Sequence, residues 1–397
     1  MKKVLVISPC GKRRDTIGLI GSLLSSLKGL DKEKYHISLL DTNFFENNHN
    51  PNDYEVDNYY CLDKNWIDGI IRKIPRARSK YADYLAVKTF KRLVRGNGYD
   101  VIIVYQIPIY ADKLVTIAHL NGAKIVFEPF GSDILRASDV GEKRLMNAFA
   151  QVDAVCGRDK SGTINAAKEI YKVPEKKIRV QKLYSEGVRR LMDLKGKYTR
   201  KELSKSIGIP QAEYNIVCGY SGRQTHRHNT IIDALINVKD ILPNNYQIIF
   251  PMTYGAGDHH EIVLQYAAQL KEICDNNGLN SVFLTDFMTT EQVSFLHLVT
   301  DLFIEIQPTD NGNAFMIEAL FAENQIVTGS WLKYDRFEQF GIPYYLINDP
   351  TELSSMLNKI FNKQIEQVKV PQALIDYFKV PEDLDRSKFW SELFDTI

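Results

Sequence analysis

The chain has 397 residues, which suits two domains of roughly 150–200 residues each. Hydrophobic residues make up 44% of it and charged residues 25%, a balance that is typical of globular proteins and excludes a largely disordered chain. The 50 Lys and Arg residues are offset by 49 Asp and Glu, and the formal net charge of +1 excludes a general electrostatic attraction to nucleic acid.

The cysteines and the apolar runs indicate a protein of a reducing compartment. The five cysteines are scattered without a CxxC pair, which argues against a disulfide framework and against a zinc knuckle. No apolar run approaches the length of about 18–20 residues that a membrane span needs. The opening MKKVLVISPC runs straight into the charged GKRRD, so it predicts a first strand and not a signal peptide. We therefore expect a cytoplasmic protein.

Short Val- and Ile-rich runs alternate with helical patterns along the whole chain. Their positions are 3–8, 36–41, 101–105, 124–129, 153–157, 178–183, 214–222, 246–252, 281–287, 302–307, 325–329 and 344–348. Continuous apolar runs bounded by turn residues predict strands buried on both faces, and the helices between them predict parallel sheets. We therefore predict an α/β fold with two Rossmann-like domains that face each other across a cleft, where the carboxyl ends of both sheets meet.

The predicted boundary between the two domains falls in a charged stretch without a core strand. This stretch, residues 185–212, is interpreted as a linker between an N-terminal domain at 1–184 and a C-terminal domain at 213–371. The tail at 372–397 has a helical pattern, and we expect it to cross back and pack on the N-terminal domain.

The segment 64–95 concentrates positive charge in one part of the first half. It contains ten Lys and Arg against two Asp, a net charge of +8, with aromatic and Ile residues interleaved. This composition is typical of a helix on an anionic membrane surface, where each cation contributes on the order of 1 kcal/mol. A solvated helix face whose apolar residues pack in the core is the alternative.

The sequence GYSGRQTHRHN at 219–229 follows the first strand of the second half and precedes a helix. Its glycines allow a tight turn with exposed backbone N–H groups around Ser221 and Gly222, and the helix start adds its positive end. The loop also contains four basic or imidazole side chains, Arg223, His226, Arg227 and His228. Together these groups predict a diphosphate site without a metal. The alternative is an ordinary strand-to-helix turn with exposed basic residues.

A second polar loop follows the strand that ends near Gln307 and leads into a helix. Its candidate ligand residues are Asp310, Asn311, Gly312, Asn313 and Ala314, with Glu318 about one turn further on. The Glu318 carboxylate can accept both hydroxyl groups of a ribose, and its apolar neighbours mean that it needs a polar partner. The alternative is a carboxylate that complements the dipole of its own helix.

Two loops of the first half carry further polar groups. Glu128 and Asp133 lie on either side of Gly131 where a strand ends, and either carboxylate could act as a base. Helix capping by Asp133 is the alternative. The loop after the first strand has three cations beside a glycine, Gly11, Lys12, Arg13 and Arg14. It predicts a phosphate site, with exposed basic residues that bind nothing as the alternative.

These motifs carry a resemblance to a known class of enzymes. A GYSGRQTHRH loop after the first strand of a second Rossmann domain, followed by Asp310-x7-Glu318, resembles the glycosyltransferases of the GT-B fold. The G-x-S-G form, with FPMTYG at 250–255, is most similar to the bacterial 4-acetamido-4,6-dideoxygalactosyltransferase family, which acts on lipid-linked sugar diphosphates. The acidic-x7-Glu spacing resembles the larger retaining GT-B family with many capsule and lipopolysaccharide enzymes. The loop at 127–135 resembles the HGxD-type loop of such enzymes, with Phe130 in place of its His.

The resemblance implies a role for each candidate residue. In the second half, Ser221, Gly222, Arg223 and His228 would hold the donor diphosphate, and Arg223 would also stabilise it as it leaves. Glu318 would bind the ribose, residues 310–314 the donor sugar, and Tyr254 would cover the base or the sugar with its ring.

In the first half, the resemblance implies catalysis and acceptor binding. Glu128 or Asp133 would take the proton from the acceptor hydroxyl if the enzyme inverts configuration. The phosphate of a lipid-linked acceptor would bind to the loop of Gly11, Lys12, Arg13 and Arg14.

We therefore expect a metal-independent, cofactor-free glycosyltransferase. It would move a sugar from a nucleoside-diphosphate donor to a lipid-linked or polysaccharide acceptor in bacterial surface glycan synthesis, in the cytoplasm or at the inner face of the cell membrane. Two alternatives stay open. One is a nucleotide-sugar epimerase, which would need no acceptor. The other is a non-catalytic GT-B subunit that stabilises a partner transferase. This alternative is favoured by Phe130 and His228, which replace the usual His and Lys.

Overall fold

The computed structural model describes residues 1–10, 20, 23–44, 54–63, 66–135, 139–158, 161–182, 184–253, 260–310, 312–332, 334–381 and 385–397. The chain forms two compact units, Met1–Lys182 with Asp383–Ile397, and Leu183–Glu382. We call them the N-terminal unit and the C-terminal unit. Each unit contains a parallel β-sheet with helices, as the alternation of apolar runs and helical patterns predicts.

The N-terminal unit is built on a seven-stranded sheet in the order β3-β2-β1-β4-β5-β6-β7, with every pair of neighbours parallel. Its strands are β1 (Lys2–Ser8), β2 (Tyr35–Asp41), β3 (Asn58–Cys61), β4 (Val101–Tyr105), β5 (Lys124–Glu128), β6 (Ala154–Arg158) and β7 (Ile178–Gln181). Strand β3 has no counterpart among the predicted strands. The reason is its position at the sheet edge, where its residues are half-buried or exposed and form no Val- or Ile-rich run.

Helices and alternating strand residues form two cores in the N-terminal unit. The helices are α1 (Asp68–Ile71), α2 (Pro75–Asn97), α3 (Ala111–Leu120), α4 (Ser132–Leu135), α5 (Asp139–Gln151), α6 (Gly162–Glu169) and the last helix of the chain, α16 (Ser387–Thr396). Leu5 of β1 belongs to one core and its neighbour Val6 to the other, because successive side chains of a strand point to opposite faces. Both faces of the sheet are therefore covered.

The last helix packs on the N-terminal unit. Trp390 of α16 is fully buried, and its Nε1 donates a hydrogen bond to Ser26 Oγ at 2.8 Å. Leu393 and Phe394 join the same core as Val4 and Val6 of β1. This confirms the predicted return of the C-terminal helix to the first domain.

The C-terminal unit is built on a six-stranded parallel sheet in the order β10-β9-β8-β11-β12-β13. Its strands are β8 (Tyr214–Cys218), β9 (Tyr246–Pro251), β10 (Ser281–Leu284), β11 (Leu302–Glu305), β12 (Gln325–Gly329) and β13 (Tyr345–Ile347). Its helices are α7 (Glu186–Leu194), α8 (Arg200–Ser206), α9 (His228–Asn237), α10 (His260–Asn276), α11 (Thr290–Val299), α12 (Ala314–Phe321), α13 (Asp335–Glu338), α14 (Leu353–Phe361) and α15 (Gln372–Phe378). Strands β8 and β11 are neighbours in the middle of this sheet, so the loops that follow them lie side by side.

The segment interpreted as a linker, 185–212, contains two helices of the C-terminal unit. Helix α7 packs against α11 and α12, and α8 packs against α11. The side chains of Val188, Leu191 and Leu194 form a buried stripe along α7 at helical spacing. This buried stripe allows an otherwise charged segment to pack inside the C-terminal unit. Helix α15 also belongs to the C-terminal unit, and the chain leaves that unit after Glu382, later than residue 371.

None of the helices in the described ranges is both long and apolar enough to cross a lipid bilayer.

Candidate functional site

Two loops meet at the carboxyl edge of the C-terminal sheet. The first, 219–228, follows β8, and the second, 306–314, follows β11. The Gly219 N–H donates a hydrogen bond to the Ile304 carbonyl at 2.9 Å, and Gln307 Nε2 donates one to the Tyr220 hydroxyl at 3.2 Å. Both predicted donor loops therefore lie together, as neighbouring parallel strands require.

The start of the first loop is a tight turn that favours glycine. Gly219 has φ of +62°, and a Cβ there would lie 3.1 Å from the imidazole rings of both His226 and His228. A Cβ on Gly222 would lie 2.8 Å from the Val263 side chain. The backbone N–H of Arg223 donates to the buried Ser221 Oγ at 3.3 Å, which closes the turn. The structure thus explains both glycines by sterics.

Arg223 and the start of α9 supply positive charge to this turn. The Arg223 side chain is exposed, and a 3-10 turn at Gln224–His226 leads from it into α9. Within the described chain, no side chain caps the beginning of α9 at His228. The N–H groups of its first turn and the positive end of its dipole therefore favour an anion beside Arg223.

The structure places His228 in the core and not at the surface of the loop. Its ring is fully buried and packs against Phe250 and Tyr266. Burial, reinforced by the neighbouring His226, lowers the pKa of His228 to about 3, so the ring is neutral near pH 7. A neutral, buried imidazole cannot offer a charge to a diphosphate. His228 therefore supplies no charge to a diphosphate, and a contact from its ring N–H to the ligand stays a prediction.

The second loop is held by Asp310 and Asn313. Asp310 Oδ2 accepts hydrogen bonds from Asn313 Nδ2 at 2.9 Å and from the Tyr334 hydroxyl at 2.7 Å. Burial and the nearby carboxylate raise the pKa of Tyr334, which keeps its hydroxyl protonated as a donor. Asn313 Oδ1 accepts from the Met316 N–H at 2.9 Å and so caps α12.

The buried Arg336 fixes the glycine of the second loop. Gly312 has φ of +64°, and its carbonyl accepts a hydrogen bond from Arg336 Nη2 at 3.0 Å. A Cβ at Gly312 would lie 2.6 Å from that nitrogen. The exposed Ala314 begins α12 directly after the loop. The loop is therefore held by hydrogen bonds from Tyr334, Asn313 and Arg336.

Glu318 has the polar partners that its buried position on α12 demands. Its carboxylate accepts a hydrogen bond from Ser185 Oγ, and its Oε2 lies 3.4 Å from His297 Nε2. It also contacts the beginning of α7, where a Cβ on Gly187 would lie 2.2 Å from the carboxyl group. Glu318 is the fifth residue of α12, so it complements the start of α7 and not that of its own helix. Ribose binding by Glu318 stays a prediction.

In the N-terminal unit, the candidate base Glu128 lies in a buried position. It lies at the carboxyl end of β5, and its Oε1 accepts a hydrogen bond from Gln181 Nε2 at 3.2 Å. Its Oε2 is buried and has no hydrogen-bond partner among the described residues. Burial raises the pKa of Glu128 to about 7, against the lowering effects of Arg158 and Gln181. The carboxyl group therefore changes charge near neutral pH, where proton transfer is most effective.

Asp133 is occupied by backbone hydrogen bonds. Its Oδ2 accepts from the N–H groups of Ile107 at 2.7 Å and Phe130 at 3.0 Å. Its Oδ1 accepts from Gly131 at 2.7 Å and Ile134 at 3.1 Å. Four such bonds fix the loop before α4. This geometry favours the structural alternative for Asp133 and leaves Glu128 as the candidate base.

Several predicted site residues lie outside the described residues. These are Gly11, Lys12, Arg13 and Arg14 of the predicted phosphate loop, together with Tyr254 and Asn311. Their proposed contacts stay predictions.

Other residues at the carboxyl edge of the C-terminal sheet did not emerge from the sequence. They are Ser185, His297, Glu305, Tyr334 and Arg336. Glu305 could have been found from the sequence, because it is a charged residue inside the apolar run LFIEI. A buried strand carboxylate needs a partner, and that requirement points to an imidazole or a cation from a neighbouring loop.

The two parallel-sheet units define the class of the protein, which has the GT-B fold. Solved structures similar to the whole chain include a glycosyltransferase from Rickettsia africae (12% identity, 99% of this chain and 97% of that chain, TM-score 0.67). They also include Anabaena HepE in complex with UDP and glucose (13% identity, 100% of both chains, TM-score 0.67) and the lipopolysaccharide outer core galactosyltransferase WaaB (11% identity, 100% of both chains, TM-score 0.61). No protein-family model and no curated protein matches the sequence. The likeness therefore lies in the fold.

Proposed function

We propose that the chain is a glycosyltransferase that uses a nucleoside-diphosphate sugar as donor. The observation that carries the proposal is the turn at 219–222 with the exposed Arg223 and the start of α9 beside the loop at 310–314. Backbone N–H groups, a helix dipole and a guanidinium at one point suit a diphosphate, and the neighbouring loop would bind the sugar. The similar HepE structure contains UDP and glucose, which supports a donor of this class.

The proposed mechanism needs no metal ion. As the glycosidic bond to the diphosphate breaks, negative charge grows on the leaving group, and Arg223 with the N–H groups of α9 stabilises that charge. Glu128, in its ionised form, takes the proton from the attacking acceptor hydroxyl. This assignment corresponds to inversion of configuration. The resemblance of the sequence motifs to the 4-acetamido-4,6-dideoxygalactosyltransferase family supports the proposed class of reaction.

For the acceptor, we propose a lipid-linked or polysaccharide molecule of bacterial surface glycan synthesis, including capsule and lipopolysaccharide. The support is the resemblance of the donor loops and the name of the similar galactosyltransferase WaaB. The basic loop at 11–14 would bind the acceptor phosphate.

A thermal-shift screen tests the donor proposal. We expect one or more of UDP, GDP, ADP and dTDP to raise Tm, because a ligand at 100 times its Kd stabilises the folded state by about 2.7 kcal/mol. The matching nucleosides without phosphate should have a much smaller effect. The preferred donor is then assayed for transfer. Absence of stabilisation by every diphosphate would contradict the proposal, isomerisation of the sugar without acceptor would favour an epimerase, and binding without turnover would favour a partner subunit.

We further propose that residues 66–95 contact an anionic membrane surface. Apolar side chains are unusually exposed at the beginning of this segment: Trp66 is 82% exposed, Ile70 56% and Ile74 48%. Lys73 and Arg78 lie between and after them, and both are exposed. Apolar anchors surrounded by cations suit the interface of a bilayer with anionic headgroups. This would place the enzyme beside a lipid-linked acceptor at the inner face of the cell membrane.

Liposome flotation tests the membrane proposal. Binding to vesicles that contain phosphatidylglycerol should exceed binding to phosphatidylcholine vesicles and should weaken with added salt, since surface charges are screened within about 10 Å at 0.1 M salt. The variants Lys73→Glu with Arg78→Glu, and Trp66→Ala, should each reduce binding. Lys201→Glu with Lys205→Glu, on exposed positions of α8, is the matched control and should bind as the wild type does. Equal binding by both charge-reversed variants would contradict the proposal.

A further inference from the structure

A buried carboxylate and a buried imidazole face each other below the turn at 219–222. Glu305, at the carboxyl end of β11, is fully buried, and His226 is 3% exposed. Glu305 Oε2 lies 3.4 Å from His226 Nδ1, whereas Glu305 Oε1 accepts a hydrogen bond from the Gln307 N–H at 3.1 Å. Among the described residues, neither Oε2 nor Nδ1 forms a hydrogen bond, and the 3.4 Å between them is a polar contact without hydrogen-bond geometry. Each is therefore the partner that the other requires in the core.

This pair supports the turn directly. A Cβ on Gly219 would lie 3.1 Å from His226 Nδ1, so the backbone of the turn packs closely against the imidazole ring. The His226 ring also packs edge-on against Tyr220, with 4.5 Å between the ring centroids. Strand β11 holds Glu305, Glu305 contacts His226, and His226 contacts the first two residues of the turn.

A row of rings continues from this pair to α12. Tyr220 stacks on Phe315 with 5.5 Å between centroids and 19° between planes. Phe315 contacts His297 at 4.2 Å, and His297 Nε2 lies 3.4 Å from Glu318 Oε2. The two predicted donor loops are thus joined by packed side chains that end in a carboxylate–imidazole pair on each side.

We propose that Glu305 is a positioning residue for the diphosphate-binding turn. It holds the His226 ring in place, and the ring holds the backbone of Gly219 and Tyr220, so that the turn is ordered before the ligand arrives. Preorganised donors bind an anion more tightly than donors that must first be ordered. The proposal rests on the proposed function, because it assigns the turn to a diphosphate. A general contribution of the pair to fold stability is the competing explanation.

The test compares Glu305→Gln with a matched control on the same strand. Asp301 immediately precedes β11, where its carboxylate binds Arg200 and the Asn215 N–H, far from the turn. Asp301→Asn should lower Tm and leave the turn unchanged. Glu305→Gln should weaken binding of inorganic pyrophosphate, measured by calorimetry, by about tenfold, the effect expected from one misaligned charge-assisted hydrogen bond. It should also accelerate amide hydrogen exchange at residues 219–223 in the ligand-free protein.

The double variant His226→Gln, Glu305→Gln completes the comparison. If the two residues act as a unit, the double variant binds pyrophosphate no more weakly than Glu305→Gln does. It also replaces the carboxyl and imidazole groups by two amides, and it serves as the test variant if Glu305→Gln does not fold. Wild-type pyrophosphate affinity and wild-type exchange in the Glu305 variants would overturn the proposal, and so would equal effects of Asp301→Asn. Faster exchange without any pyrophosphate binding by the wild type would support the positioning role and refute the proposed function.

Discussion

Replacing Arg223 by alanine is expected to lower kcat/KM by about 10²–10³-fold, the effect of removing one charge-stabilising donor from an active site. The guanidinium is exposed beside the turn at 219–222 and next to the uncapped start of α9, where the leaving diphosphate would lie. Its contribution should increase as the bond to the sugar breaks, because the charge of the leaving group increases at that point. Steady-state kinetics with the donor identified by thermal shift measure this effect in kcat and in kcat/KM.

A surface cation of the same unit provides the control. Lys271 of α10 is exposed and forms an ion pair with Asp275 one turn later. Lys271→Ala removes the same formal charge from the C-terminal unit, so its kinetics should match the wild type and separate local stabilisation from a general change of field. An Arg223→Ala enzyme with wild-type kcat/KM would contradict the role of Arg223 at the leaving group.

Glu128→Gln is expected to lower kcat by about 10²–10⁴-fold, which is the usual contribution of a general base. The pKa of Glu128 is about 7, so the fraction of wild-type enzyme with an ionised base rises as the pH passes from 6 to 8. The wild-type rate should rise over the same interval. The pH–rate profile of the glutamine variant should lose this rising limb, because an amide does not change its protonation state between pH 6 and 8. A variant with the wild-type rate and profile would show that Glu128 is not the base and would favour a front-face, retaining reaction.

Stability gives an independent measurement of the same pKa. The pKa of Glu128 is about 7 in the folded protein and 4.5 in an exposed chain. The contribution of this group to stability is therefore fully present below pH 4.5 and is lost as the pH rises through 7. At pH 8, Glu128→Gln should be more stable than the wild type by up to about 3 kcal/mol, whereas the two should be similar at pH 4. Chemical denaturation at both values checks the sign.

Asp133→Asn is the contrasting variant for this loop. An amide offers one acceptor oxygen where the Asp133 carboxylate accepts from four backbone N–H groups. The asparagine variant should therefore lose stability at pH 8, where the glutamine variant at position 128 gains it.

The sequence alone predicted the α/β architecture and most of its strands. Runs such as 101–105 and 214–218 are apolar at every position or nearly so, since a strand covered on both faces has no side that tolerates charge. It also predicted that the loops at 219–228 and 310–318 meet, because parallel strands end at one edge of a sheet. Glycine positions were informative for the same local reason. Gly219 and Gly312 both have positive φ. Their positions in polar stretches between a predicted strand and a predicted helix already indicated loops.

Only the tertiary structure decided what the polar side chains contact. Ser185 binds Glu318 across 133 positions of the chain, Glu305 contacts His226 from another loop, and Asp133 accepts a hydrogen bond from the Ile107 N–H. The sequence indicated that His228 supplies a charged side chain to the diphosphate. Its burial against Phe250 and Tyr266 keeps the imidazole neutral. Backbone structure follows largely from the periodicity of neighbouring residues, which is local. The charge and the orientation of a side chain depend on burial and on partners that only folding brings together.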